Sequence, residues 1–155
     1  MQEIIEKLKT FNKTISTMES CTGGNLANTI TNIEGASQVF KYGAVTYSNE
    51  YKIKMGVSEE VINKYTVYSM ETANEMSKVI SDYANSNYGV GITGKLNRED
   101  VNNKTNINNI VYISIYDKDN DKFITQTLSV TSSDRIINKE MIVKIIIRML
   151  NDIIK

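Results

Sequence analysis

The sequence predicts an α/β fold, a three-layer α/β/α sandwich whose mixed, mostly parallel sheet of about five strands is closed by a hairpin. Three observations predict it. Short β-branched or glycine-punctuated segments alternate with segments of 3.6-residue apolar rhythm through the first two-thirds of the chain. Two further strand-like segments follow, joined by Asp117-Lys118-Asp119-Asn120-Asp121, which is a hairpin signal. A last segment rich in Ile, Val and Met reads as a long helix. With 155 residues and no visible repeat, linker or composition shift, residues 1–155 are expected to form one domain.

Each element has its own signal. Ile4, Ile5 and Leu8 place an amphipathic helix over 2–10. Thr14 to Met18 alternates and is β-branched, predicting a strand that ends at Glu19. Thr22-Gly23-Gly24 opens a helix bearing Leu26, Ala27 and Ile30, and a turn at Glu34 to Ser37 precedes a short helical turn. Tyr42 to Tyr47 predicts a second strand. Ser48 or Asn49 can cap a short helix through Lys54, and Ser58, with Glu59-Glu60 behind it, caps another reaching Tyr65. Ser69 begins the clearest helix, with Ala73, Met76, Val79, Ile80 and Tyr83 in register. Tyr88 to Thr93 is a third strand, followed by a polar, Asn-rich loop over 95–109. Strands at 110–116 and 122–130 flank the hairpin turn. Ser132 or Ser133, with Asp134, caps the final helix, whose apolar surface covers more than one face. That width suggests deep packing or a subunit contact, so a homo-oligomer is expected, a dimer first.

Composition narrows the chemistry. Eighteen basic residues balance eighteen acidic ones, so no net field recruits nucleic acid or an anionic membrane, and neither is an expected partner. The start is a mixed amphipathic segment rather than a leader, and Lys139, Glu140, Lys144 and Arg148 interrupt the most apolar stretch. A cytoplasmic protein is expected. There is no histidine, and Cys21 is the only cysteine. A Ser-His-Asp triad and a Cys-His pair are thereby excluded, and no structural zinc or other metal site is expected. A nucleophilic enzyme built from this chain must use Lys, Tyr, Asp, Glu or water as its base.

The segment Glu19-Ser20-Cys21-Thr22-Gly23-Gly24 carries the chemical signal. Ser20 falls at the carboxyl end of a strand, where open α/β sheets place their ligands. The glycines permit close backbone approach, and the helix start offers N–H groups suited to a phosphate or an oxyanion. The plainer alternative is that Ser20 or Thr22 only caps the helix. Cys21 is the rival nucleophile, although on an extended strand its side chain points opposite to Ser20 and into the core.

Met18-Glu19-Ser20-Cys21-Thr22-Gly23-Gly24 resembles the Ala-Glu-Ser-Cys-Thr-Gly-Gly segment of the CinA C-terminal domain family. Similar blocks follow in order: Gly35-Ala36-Ser37, Tyr42 to Glu50 with Lys52, Gly56-Val57, Ser69 to Ala73 with Met76, Gly91 to Gly94, and Asp134-Arg135. The resemblance runs over essentially the whole chain. It implies hydrolysis of the carboxamide of nicotinamide mononucleotide, without a cofactor, at a small-molecule nucleotide site. By matching motif, Ser20 would be the nucleophile and Lys52 the base, with Tyr47 and Thr93 completing the catalytic group. Cys21, Thr22, Gly23, Gly24, Gly43, Asn49, Gly94 and Arg135 would bind substrate. The residue-level alternatives are a solvated Lys52, a half-buried core Tyr47, a Thr93 that only ends its strand, and an Arg135 paired with Asp134 or another carboxylate.

Two segments depart from the family pattern. After Gly94 the family continues Ile-Ala-Gly-Pro, where this chain has Lys95-Leu96-Asn97-Arg98-Glu99-Asp100. Lys95 and Arg98 are expected in a solvated loop, with new phosphate contacts as the alternative. Thr66 and Tyr68 replace a usual glycine and valine. A non-catalytic nucleotide-binding or interaction module of the same fold is therefore the second functional expectation.

Overall fold

The computed structural model describes residues 1–97 and 108–155. Helix α1 (Gln2–Thr10) precedes strand β1 (Ile15–Glu19), helix α2 (Asn25–Thr31) and a 3-10 turn (Ala36–Gln38). Strand β2 (Phe40–Val45) is followed by helices α3 (Asn49–Lys54), α4 (Glu59–Tyr65) and α5 (Met70–Ala84). Strands β3 (Tyr88–Gly94), β4 (Ile110–Asp117) and β5 (Lys122–Ser129) precede helix α6 (Arg135–Ile153). Strand β2 begins earlier than the sequence predicts and stops before Thr46 and Tyr47. Ser48, Ser58 and Ser69 cap their helices by accepting from the N–H groups of Tyr51, Val61 and Thr72. The cap of α6 is Asp134, not Ser132 or Ser133, with its carboxylate accepting from Ile136 N–H at 2.7 Å.

The five strands lie in the order β2-β1-β3-β4-β5. The β2-β1 and β1-β3 pairings are parallel, while β3-β4 and β4-β5 are antiparallel. Four of the five strands therefore point the same way, because two successive reversals return β5 to the direction of β3. The larger apolar cluster joins α1, α2 and α6 to one face through Ile4, Leu8, Leu26, Ile30, Ile142 and Ile146. On the other face Met18, Val57, Ile62, Val67, Met76 and Ile80 form a second cluster beneath α4 and α5. This is the expected three-layer arrangement.

Close approach of α5 depends on two glycines of β3. A Cβ on Gly89 would lie 2.0 Å from Ser77 O, and one on Gly91 would lie 2.3 Å from Ala73 O. With no side chain on either, α5 beds onto the strands carrying Ser20 and Thr93. The chain leaves β1 toward β2 on one side and returns to β3 on the other. The carboxyl end of β1 is thus a topological switch point, where a crevice forms outside the sheet.

Candidate active site

Ser20 is the first residue past β1. Its N–H donates to Ile92 O at 3.0 Å, and Thr46 N–H donates to Glu19 O at 2.9 Å. Ser20 is therefore held between the carboxyl ends of β3 and β2. Strand alternation decides its facing. Ser16 donates to Ile80 O of α5 and Met18 packs with Met76, so Ser20 faces the α5 side. Glu19 and Cys21 face α2. From α3, Lys52 extends beneath this edge, its Nζ 3.0 Å from Ser20 Oγ and 2.8 Å from Thr46 O. Lys52 is only 2% exposed, so the solvated alternative does not hold. Residues 32 positions apart in sequence meet as a buried Ser–Lys pair.

Glu19 is the site residue that the sequence pattern did not single out. Fully buried, its carboxylate accepts from Thr22 Oγ1 at 2.6 Å, Leu26 N–H at 3.1 Å and Ala27 N–H at 2.8 Å. It thereby caps the first turn of α2 from a neighbouring element and aligns with the helix dipole. Gly23 N–H is donated to Ser20 O and Asn25 N–H to Thr22 O. The expectation that the α2 start offers free N–H groups to a ligand is thus corrected: Glu19 occupies them. An acidic side chain three residues before a threonine at a strand-to-helix turn was the available signal.

Other expected site residues fall in different places. Cys21 is buried in the larger core cluster, and burial pushes its thiol up to about 12. Because the thiol stays protonated below that pH, native protein at pH 8 is expected to resist alkylation by iodoacetamide, while protein unfolded in guanidinium reacts; mass spectrometry reads the difference. Thr93 is fully buried and donates to Val67 O at 2.6 Å, tying β3 to the segment before α5. Tyr47 is 66% exposed, not half-buried. Asn49 is the first residue of α3, whose cap is Ser48.

Several residues expected to bind substrate have structural roles of their own. A Cβ on Gly43 would meet Phe40 at 2.9 Å and Thr17 Oγ1 at 3.0 Å, so this glycine serves packing on the α2 side of β2. Gly94 lets β3 approach β4, since its Cβ would lie 2.5 Å from Ile110 O. Among the described residues Arg135 pairs with no carboxylate, Asp134 included, and it donates through Nη1 to Leu96 O. Thr22, Gly23 and Gly24 line a cleft of about 280 Å³ between the first turns of α2 and α6, with Lys139 and Glu140 opposite. Neither Ser20 nor Lys52 lines it.

The two departures from the family pattern meet. Lys95 is buried rather than solvated, and its Nζ lies 5.0 Å from the Tyr68 ring centroid. Leu96 joins the core. Thr66 has φ 69° and ψ 167°, a conformation glycine reaches freely and threonine adopts at a cost of about 1–3 kcal/mol. Hydrogen bonds hold it there: its carbonyl accepts from Ser69 and Thr72 hydroxyls, and its own hydroxyl accepts from Tyr68 N–H. Arg98, Glu99 and Asp100 lie outside the described residues. Among those described, no group of three or more acidic or cysteine side chains could hold a metal, and no helix is long and apolar enough to cross a membrane.

Fold and site together define an α/β domain with a buried serine–lysine pair at the carboxyl ends of its parallel strands. The CinA C-terminal domain profile matches residues 1–154, and the chain belongs to that family. A competence-damage inducible protein of Clostridium perfringens is 47% identical over 96 residues, covering 61% of this chain and 23% of the relative. One from Clostridium botulinum is 50% identical over 84 residues, covering 54% and 20%. The matched part is thus less than a quarter of the length of these curated relatives. A CinA superfamily crystal structure from Klebsiella pneumoniae superposes with a TM-score of 0.89 at 22% identity, covering 99% of this chain and 94% of the other. A competence/damage inducible protein from Agrobacterium tumefaciens gives 0.85 at 26%, covering 96% and 92%.

Proposed function

We propose that this domain is a serine amidohydrolase that hydrolyses the carboxamide of nicotinamide mononucleotide or a close pyridine nucleotide. The observation that carries the reading is the buried 3.0 Å contact between Lys52 Nζ and Ser20 Oγ. That separation suits Ser20 donating its proton to a neutral amine as well as the reverse. Ser20 Oγ attacks the carboxamide carbon while its proton passes to Lys52. The C–N bond then breaks, Lys52 returns the proton to the leaving nitrogen, and ammonia departs. Water attacks the acyl-serine, again giving a proton to Lys52, which restores Ser20 as the acid leaves. Backbone N–H groups of Cys21 and Thr22, which follow Ser20 in the chain, would serve the oxyanion, because those of Gly23 and of the α2 start already have acceptors.

Purified protein is expected to release ammonia from nicotinamide mononucleotide, followed by coupled assay and mass spectrometry. Ser20→Ala should lower kcat by about a thousandfold or more. Equal turnover by wild type and Ser20→Ala would remove Ser20 as nucleophile. Saturable nucleotide binding without turnover in the wild type would favour the non-catalytic module.

A further inference from the structure

Thr46 carries a buried hydroxyl that has no hydrogen-bond partner among the described residues, although the residue is only 2% exposed. A buried hydroxyl left unpaired costs free energy, and such groups in folded proteins call for an explanation. Two other buried oxygens among the described residues share this condition, and neither belongs to the strand ends beside Ser20. Thr17 Oγ1 is on the α2 face of β1, 3.0 Å from where a Gly43 Cβ would sit, and Asn74 Oδ1 belongs to α5.

The position of Thr46 is the informative part. Glu19 pairs with Val45 on one side and Ile92 on the other. One residue further along, Ser20 lies between Thr46 and Thr93, as the bonds from Thr46 N–H to Glu19 O and from Ser20 N–H to Ile92 O require. Directly opposed residues place their side chains on the same face, on strands about 4.8 Å apart. Val45 reaches the α2 side, where its Cγ2 would lie 3.3 Å from a Cβ on Gly24, so Thr46 turns to the Ser20 side. Two threonines thus flank the nucleophile. Thr93 has given its hydroxyl to Val67 O, and Thr46 has not. Lys52 approaches Ser20 from the Thr46 flank, since its Nζ also bonds Thr46 O.

We infer that the Thr46 hydroxyl contacts the substrate, accepting a hydrogen bond from the carboxamide N–H2 as that nitrogen leaves. The inference rests on the amidohydrolase reading. Lys52 must protonate the departing nitrogen, so that nitrogen lies on the Lys52 flank, where Thr46 offers the one hydroxyl still to be paired among the described flanking groups.

Thr46→Val keeps the shape and removes the hydroxyl, while Thr46→Ser restores it. Thr46→Val is expected to lower kcat/KM for nicotinamide mononucleotide about ten- to a hundredfold. Its Tm should equal or exceed that of wild type, because an unpaired buried hydroxyl has become a methyl group. Thr46→Ser should recover most of the turnover. Wild-type turnover in Thr46→Val overturns the inference and leaves the Ser20–Lys52 reading standing. So does a loss that Thr46→Ser shares, or one that only follows a fall in Tm. If wild type turns over no nicotinamide mononucleotide, the amidohydrolase reading fails, and calorimetric binding of that nucleotide decides Thr46. About tenfold weaker binding by Thr46→Val then sustains contact with the ligand, whereas unchanged or unmeasurable binding rejects it.

Discussion

Replacing Lys52 by arginine is expected to lower turnover of nicotinamide mononucleotide by about a thousandfold, within the range that a positioned base contributes. Arginine keeps a cation and hydrogen-bond donors near Ser20 Oγ, but it cannot be deprotonated in a protein. A lysine that merely orients Ser20 would therefore be partly replaced by arginine, and a lysine that accepts the proton would not. Lys52→Met removes both properties and should fall at least as far. KM for folded variants is expected to change much less than kcat, because the proton is transferred only in the chemical step. Circular dichroism and thermal melts are the check that each variant is folded. Lys52→Arg activity within about tenfold of wild type would exclude Lys52 as the base.

Glu19→Ala is expected to destabilise the domain by about 3 kcal/mol or more, read as a shift in urea midpoint at unchanged slope. The carboxylate accepts three hydrogen bonds in a fully buried setting, two of them from the opening turn of α2. Alanine would leave Leu26 N–H, Ala27 N–H and the Thr22 hydroxyl without their acceptor and open a cavity beneath the turn. Glu19→Gln separates charge from shape. It retains one acceptor oxygen but turns an N–H2 toward groups that are themselves donors, so an intermediate loss of stability is expected. Because Ser20 follows Glu19 directly, both variants should also lose turnover. An exposed or weakly held carboxylate would give a change within about 0.5 kcal/mol, and that result would reject Glu19 as the anchor of the turn.

Much of the fold was legible because its signals are local. The serines ahead of α3, α4 and α5 cap them as their positions suggest, and the acidic turn at 117–121 forms the hairpin. Boundaries were less legible. Strand β2 ends at Val45 because Thr46 and Tyr47 turn toward α3, although Thr46 still bonds to Glu19. At the site, the motif brought Ser20 and Lys52 forward, and strand alternation pointed Cys21 into the core, where it lies. Gly43 and Gly94 were less legible, since a glycine that serves a ligand and one that serves a neighbouring strand have the same one-letter signal. What decides between them is the atom a Cβ would meet, and for these two it is protein.

Lys95 shows the same limit from the opposite direction. A charged residue opening a polar segment is expected in solvent, yet it is buried against Tyr68, 27 residues earlier in the chain. The amino-acid sequence by itself determined the layer order, the serine caps of α3, α4 and α5, the family and the exclusion of histidine chemistry, because each depends on residue type or on neighbours a few positions away. Only the tertiary structure decided that Glu19 occupies the helix start, that Lys52 reaches Ser20, and that Thr46 is the flanking hydroxyl left unpaired. Those facts depend on which atoms three separate strands and a helix bring together, and hydrogen-bond partners are chosen by distance in space rather than by position in the chain.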